Sequence, residues 1–263
     1  MIAPPMAVGL FANSLSPFVR KVRITLYEKG ADFDAIEIDR GAQRAELLRI
    51  NPRGEVPALV DGDVVVTGSG AICDYLEETI PAPTLLPSDA AGRARCRTIE
   101  RVADTHTDVL QFLLFLLAVR RPDLRDTHPT ALPLLSAAIA RHYAFLDDGL
   151  GGREWFVGTF SRADVSLFPH VSGLVQMGAP IPESHPRLGA WIGRMLSRPS
   201  VQRDAAQALA AFEASRTNDD PFFRADRIHW RGERVEWAMR IGLGDWLLRE
   251  VEAGRAYFSS EPG

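Results

Sequence analysis

The hydrophobic pattern of this chain changes character once, at the three closely spaced prolines Pro81, Pro83 and Pro87. Before them, short apolar runs of strand length alternate with stretches of helical spacing. After them only helical spacing is legible, and no strand pair is read. A β-rich first third followed by helices predicts two units, an α/β domain and an all-helical one, rather than a single repeating α/β sheet. The expected bounds are residues 6–81 for the first and 89–217 for the second, with 218–263 as a helical C-terminal extension.

The first third reads β-α-β-α-β-β-α. Ala7–Ala12 is a short apolar run punctuated by Asn13-Ser14-Leu15-Ser16-Pro17. Phe18, Val22 and Leu26 then recur at four-residue spacing, with Gly30 as the stop. Ser16 at the N-cap and Pro17 at the first helical position form a strong start signal. Ile36 and Ile38 alternate with Glu37 and Asp39 as a strand, and Ala45–Ile50 is a short helix that Asn51-Pro52 terminates. Ala58–Val60 and Val64–Val66 flank Asp61-Gly62-Asp63, a hairpin signal. Ser69 is placed to cap a helix whose apolar face runs through Ile72, Leu76 and Ile80.

Beyond the prolines, 93–120 reads as one long helix, polar at first and very apolar after Val109. Its run Val109–Val119, interrupted by Gln111, is shorter than the ~20 residues a bilayer span needs and is read as core. Leu132–Leu146, Asp164–Val175 and Pro186–Leu196 are further helices. In the extension 218–263, Asn218-Asp219-Asp220-Pro221 breaks the chain, yet Phe222, Phe223, Trp230, Trp237, Trp246 and Phe258 follow. A disordered tail is depleted in such residues, so this one is expected to pack on the body.

A net charge of −4 gives no basic footprint for nucleic acid. Met1–Leu10 has no basic n-region and no recognisable cleavage site, so no signal peptide is expected. Cys73 and Cys96 have no CxxC spacing and are read as buried free thiols, with neither a zinc site nor a disulfide. Asp104-Thr105-His106-Thr107-Asp108 invites a metal reading. On a regular helix, however, His106 points roughly 200° away from Asp104, and ion pairs of Arg101 with Asp104 and Asp108 are expected instead. His106 in an interdomain cleft is the alternative. No metal is expected.

Four motifs then appear in order. Ser16-Pro17-Phe18-Val19-Arg20-Lys21-Val22, continuing to Glu28-Lys29-Gly30, resembles the first helix of cytosolic glutathione transferases. Asn51-Pro52-Arg53-Gly54-Glu55-Val56-Pro57-Ala58-Leu59 is similar to their NPxGxVPxL loop, and Ser69-Gly70-Ala71-Ile72 with Tyr75-Leu76 to their SxAIxxYL helix start. Gly158 with Ser161-Arg162-Ala163-Asp164 resembles the capping motif of their helical domain. The resemblance implies a thioredoxin-like N-terminal domain, a helical bundle domain, glutathione as cosubstrate, a small hydrophobic electrophile, and a cytoplasmic homodimer without nucleic acid or membrane partners. Conjugation, dehalogenation, isomerisation and ether cleavage would all begin from the same thiolate. The run Asn13-Ser14-Leu15 is also similar to one in some bacterial glutathione-dependent β-etherases.

By that resemblance Ser16 is the thiol-activating hydroxyl, with Ser14 as runner-up. A hydroxyl at a helix N-terminus can donate to a thiolate that the helix end also favours; it would serve equally as a plain N-cap. Val56 and Pro57 would hold the cysteinyl backbone through a cis peptide bond. Gly68 and Ser69 would hold the γ-glutamyl carboxylate at a helix N-terminus. Two departures stand out. Gly68 replaces the family's usual Glu or Gln, and Glu55 stands where Lys or Gln is common, leaving Arg53 to attract the glycyl carboxylate. The same departures fit a rival class, a transferase-like binding or scaffold protein without catalysis.

Overall fold

The computed structural model describes residues 8–38, 42–217 and 228–258. Strand β1 (Val8–Ala12) leads into α1 (Pro17–Glu28), β2 (Phe33–Glu37), α2 (Ala42–Ile50), β3 (Ala58–Asp61), β4 (Val64–Thr67) and α3 (Ser69–Thr79). The sheet order is β2-β1-β3-β4, with β1 parallel to β2 and both other pairings antiparallel. This is the thioredoxin-like arrangement. Because side chains alternate along a strand, Leu10 and Ala12 face Val19, Val22 and Leu26 of α1 and Ile72 and Leu76 of α3. Phe11 faces the other way, onto Leu47 of α2 and Ala58. Tyr75 of α3 donates its hydroxyl to Asp61 at 2.8 Å, tying the hairpin to the helix behind it.

The expected long helix spans Ala90–Arg120 but is not uniform. Helix α4 (Ala90–Val102) passes through a wide π-type turn at Ala103–Thr107 into α5 (Asp108–Phe115), and a second wide turn covers Leu116–Arg120. By length and composition this helix could cross a membrane, yet Val109, Leu110, Leu113, Leu116 and Leu117 are buried in the helical core. Then follow α6 (Leu124–Thr127), α7 (Ala131–Leu150), α8 (Arg162–Gln176), α9 (Pro186–Leu196) and α10 (Pro199–Thr217). Helix α8 opens on a capping box: Ser161 accepts from the first turn, and Asp164 returns to the Ser161 N–H at 3.0 Å. Asp164 also accepts from the Phe156 N–H and the Trp191 ring N–H.

Beyond residue 227 the chain forms β5 (Ile228–Trp230), α11 (Gly232–Arg240), α12 (Gly244–Glu252) and β6 (Ala256–Phe258). Strands β5 and β6 pair in parallel, a strand pair that the sequence reading did not anticipate. Three residues are too few to show a two-residue period, and the partners are separated by two helices. Trp230 and Trp246 are buried in the core of the helical region, whereas Phe258 is about half exposed. Phe222 and Phe223 lie outside the described residues.

The two units meet through α1, whose cations are buried. Arg20, Lys21 and Arg23 are each 5% exposed or less. Arg20 Nε donates to one carboxylate oxygen of Asp204 (α10) at 2.8 Å and Arg23 Nε to the other at 2.7 Å. Lys21 reaches Asp104 at 2.9 Å and Glu100 at 3.7 Å, and Glu100 also receives Arg162 of α8 at 3.0 Å. Asp104 is therefore paired with Lys21, not with Arg101, and Asp108 with Arg234 at 2.9 Å. The wide turn overrides the regular-helix geometry that predicted otherwise. His106 packs on the rings of His142 and Trp237, 4.8 and 5.2 Å away.

Two predictions follow from buried charge. Asp204→Ala leaves two guanidinium groups buried without their carboxylate and should cost about 3–5 kcal/mol in denaturant unfolding; a loss under 1 kcal/mol would show that the pairing is dispensable. The second concerns histidine. Burial pushes His142 and His170 down to about 3, against the opposing charge of Asp108 in the case of His170, so both are neutral when folded. Their stabilisation is complete above the unfolded value of about 6.5 and falls as pH drops below it. Asp164 acts oppositely, because burial raises it to about 6. The informative quantity is therefore a difference: between about pH 7.5 and 5.5, His142→Gln should lose about 1.4 kcal/mol less stability than wild type. Equal losses would mean that His142 is not kept neutral by burial.

Candidate functional site

The loop between β1 and α1 is shaped by Asn13, whose side chain accepts from the Leu15 N–H at 3.0 Å and whose carbonyl accepts from the Ser16 N–H at 2.9 Å. Ser16 is the N-cap residue of α1 in extended conformation, and Pro17 occupies the first helical position. Its hydroxyl makes no capping bond. The side chain is half-buried at a helix end whose Phe18 and Val19 N–H groups precede the first intrahelical bond, from Arg20 N–H to the Ser16 carbonyl at 3.0 Å.

Ser14 is arranged differently. Its hydroxyl donates to Glu37 Oε1 and accepts from Arg23 Nη1 at 2.8 Å, while its N–H donates to Glu37 Oε2 at 3.1 Å. One donor and one acceptor site of this hydroxyl are thus in use. Ser14 joins β2 to α1 and, through Arg23, to Asp204.

The second edge of the site is the loop 51–57. The Asn51 side chain donates to the Glu55 carbonyl at 2.8 Å and accepts from the Arg53 N–H at 3.3 Å. Gly54 adopts φ +62°, and a Cβ there would lie 2.9 Å from the Arg44 guanidinium, which itself holds the Gly54 carbonyl at 2.9 Å. The Val56–Pro57 peptide is cis, as the resemblance implies. Glu55 pairs with Arg53, 3.0 Å away, and the ring of His229 of β5, kept neutral by burial that pushes it down to about 4, lies 3.7 Å away. The hydrogen bond and charge of Glu55 raise the Arg53 pKa above its ordinary value.

The third edge is the start of α3, where the expected cap is shifted by one residue. Gly68, not Ser69, is the N-cap; its φ of +87° favours glycine, and its carbonyl accepts from the Ile72 N–H at 3.0 Å. Ser69 is the buried first helical residue. The early N–H groups of Ser69, Gly70 and Ala71 precede the first intrahelical bond and together form an anion-favouring helix end. The backbone demand at residue 68 gives a physical reason for the glycine that replaces a longer side chain there.

The sequence reading missed what β5 and α11 bring to this region. The Arg231 guanidinium lies over the Phe18 ring, 4.5 Å from its centroid. Arg234 lies 4.0 Å over Phe112 and grips Asp108 through Nε and Nη2 at 3.0 and 2.9 Å. His170 meets the same Phe18 edge-on at 5.3 Å, and its Nδ1 is 2.9 Å from Gln111 Oε1. Burial pushes the Asp108 carboxyl up, but the charge and hydrogen bonds of Arg234 chiefly, with the charge of Arg231, hold it below the ordinary range. The available signal was the spacing Trp230-Arg231-Arg234 within an aromatic tail, which says nothing about where the tail lands. A separate cavity of about 390 Å³, lined by Leu114, Leu117, Leu132, Ile139 and Met177 among others, includes none of Ser16, Val56 or Ser69. Among the described residues no group of three or more metal-ligating side chains comes together.

The family model "Glutathione S-transferase, N-terminal domain" matches residues 10–84. FtsZ-localized protein A of Caulobacter vibrioides is 30% identical over 198 residues, covering 70% of this chain and 85% of that protein. The crystal structure of a glutathione S-transferase from Rhodospirillum rubrum is 30% identical with a TM-score of 0.60, covering 75% of this chain and 91% of that one. A glutathione transferase from Burkholderia graminis, crystallised with two glutathione molecules per subunit, is 26% identical with a TM-score of 0.67, covering 77% and 88%. Several curated relatives of higher identity match over less: the chain spans 40–50% of the length of glutathione S-transferases from Dianthus caryophyllus and Arabidopsis thaliana. With this fold, these three edges and relatives of 30% identity over most of their length, the chain belongs to the glutathione S-transferase family.

Proposed function

We propose that the protein is a glutathione transferase that uses the glutathione thiolate against a small hydrophobic electrophile. The observation that carries this reading is the Ser16 hydroxyl, which stands at the N-terminus of α1 without a capping bond. In the proposed reaction the thiol gives up its proton, and the sulfur forms a bond to the electrophilic carbon. The leaving group departs with the bonding pair, or a conjugated acceptor takes that pair and later a proton. Ser16 donates to the sulfur, and Ser14, tied to Glu37 and Arg23, holds the loop. Val56 and Pro57 carry the cysteinyl backbone. Gly68 and Ser69 present the helix end to the γ-glutamyl carboxylate, and Arg53 serves the glycyl end. In support, the Burkholderia graminis relative binds glutathione. By resemblance to the family we take the protein to act as a cytoplasmic homodimer.

A second reading is glutathione binding without turnover. It is favoured by the relative FtsZ-localized protein A, whose name describes a location rather than a reaction. Gly68 and Glu55 are the residues in this chain that suit it.

One titration separates the two. Lowering the pKa of bound glutathione from about 8.5 to about 6.5 needs ~2.7 kcal/mol of preference for the thiolate. One hydrogen bond to a charged acceptor contributes roughly 1.5–3 kcal/mol and a helix end about 0.3–1, so hydroxyl and helix together suffice. Ser16→Ala should raise the bound thiol's pKa by about one to two units, read from thiolate absorbance against pH, with little change in glutathione affinity by calorimetry. If Ser14→Ala shifts the titration and Ser16→Ala does not, the activating hydroxyl is Ser14. An unshifted thiol in the wild type, with glutathione bound, would favour the non-catalytic reading.

A further inference from the structure

Two arginines reach the mouth of the site from the start of α11, and they are differently occupied. Arg234 has both an aromatic face and a carboxylate, since it stacks on Phe112 and forms a two-point pair with Asp108. Arg231 has the aromatic face alone: it stacks on Phe18, and no carboxylate of the described residues pairs with it. Of the described carboxylates, Asp108 feels the Arg231 charge, but both its oxygens already accept from Arg234. The Asp108 charge is matched by Arg234, and His170, kept neutral by burial, adds no positive charge. Arg231 is half-buried and firmly placed. The preceding Trp230 is 1% exposed, and the Arg231 carbonyl accepts from the Val235 N–H at 3.0 Å. A partly dehydrated guanidinium on a fixed backbone is a receptor for a planar anion, which it can bind through two parallel N–H donors.

The ring beneath Arg231 identifies which anion. Phe18 lies in the first turn of α1, two residues after Ser16, so the guanidinium flanks the ground where the sulfur meets its reaction partner. The two carboxylates of glutathione are directed elsewhere on the proposed reading, to the Ser69 helix end and to Arg53. We propose that Arg231 is a specificity-determining residue for the second substrate, selecting electrophiles that join an apolar or aromatic body to a carboxylate or similar planar anion. The apolar body packs beside Phe18 and the acid meets the guanidinium. This inference rests on the glutathione-transferase reading and adds a substrate class to it.

The test uses the full-length protein and two glutathione conjugates of nearly equal shape, S-(4-carboxybenzyl)glutathione and S-(4-carbamoylbenzyl)glutathione, titrated by calorimetry beside glutathione itself. Wild type should bind the acid about tenfold more tightly than the amide, the scale of one charge-assisted hydrogen-bonded pair. Arg231→Gln should abolish that preference by weakening the acid about tenfold more than the amide, and Arg231→Lys should keep part of it. The wild-type comparison needs no variant, so a misfolded substitution does not remove the test. Equal Kd values for acid and amide in wild type, with glutathione bound, would overturn this inference alone. A Gln variant that weakens both conjugates equally would also overturn it, leaving Arg231 as packing for Phe18. Wild type that binds neither glutathione nor a conjugate would overturn the transferase reading and this inference with it.

Discussion

The architecture depends on one carboxylate. Asp204 is fully buried and divides its two oxygens between Arg20 and Arg23, so that a helix of the sheet-bearing unit is clamped to the last long helix of the helical region. Such a pairing contributes little net stability over an apolar interface, because dehydrating the ions opposes their attraction. Its effect is geometric. Two arginines three residues apart on α1 meet two oxygens of one fixed group, and that sets the rotation of α1 about its axis. The rotation decides where Ser16 stands and where Phe18 turns its ring. Arg23 extends the same constraint to Ser14 and Glu37, linking the loop before α1 to a residue on the far side of the interface.

The local signals in the sequence were well read because they are local. Ser16-Pro17, the Asp61-Gly62-Asp63 turn and the Ser161–Asp164 box each act within four residues, and the helix and hairpin positions they imply are close to those observed. The α1 cations were not legible in the same way. A basic cluster on a helix ordinarily marks a solvated face, and the anions that bury this one lie on α4 and α10. Helix α10 itself was not assigned, although it supplies Asp204. The wide turn at Ala103–Thr107 defeated the face arithmetic that put Asp104 and Asp108 together, since that arithmetic assumes 3.6 residues in every turn; His106 does point away from Asp104.

The site divides along the same line. Motif residues such as Ser16, Val56-Pro57, Gly68 and Ser69 were named from resemblance and spacing, and they form three chain segments at one end of the sheet. The displaced cap at Gly68 is a one-residue matter of backbone dihedral, invisible to a pattern that records serine before an apolar run. His229, Arg231 and Arg234 were beyond reach for a stronger reason. Nothing local to the aromatic tail specifies its docking place; that emerges only once Asp108, Phe112 and Phe18 are positioned by other parts of the chain.

The separation of Asp204 from its arginines has a consequence for biosynthesis. Asp204 follows Arg20 by 184 residues. At roughly 5–20 residues per second, a ribosome delivers the carboxylate roughly 10–40 s after the arginine. During that interval the emerging sheet unit can form its strands and Lys21 can meet Glu100 and Asp104, but Arg20 and Arg23 are without the carboxylate that later covers them. The first unit to be synthesised therefore waits for nearly the last helix of the body before its exposed basic face is covered, and a nascent chain halted before residue 204 would present that face to ribosomal RNA and to chaperones.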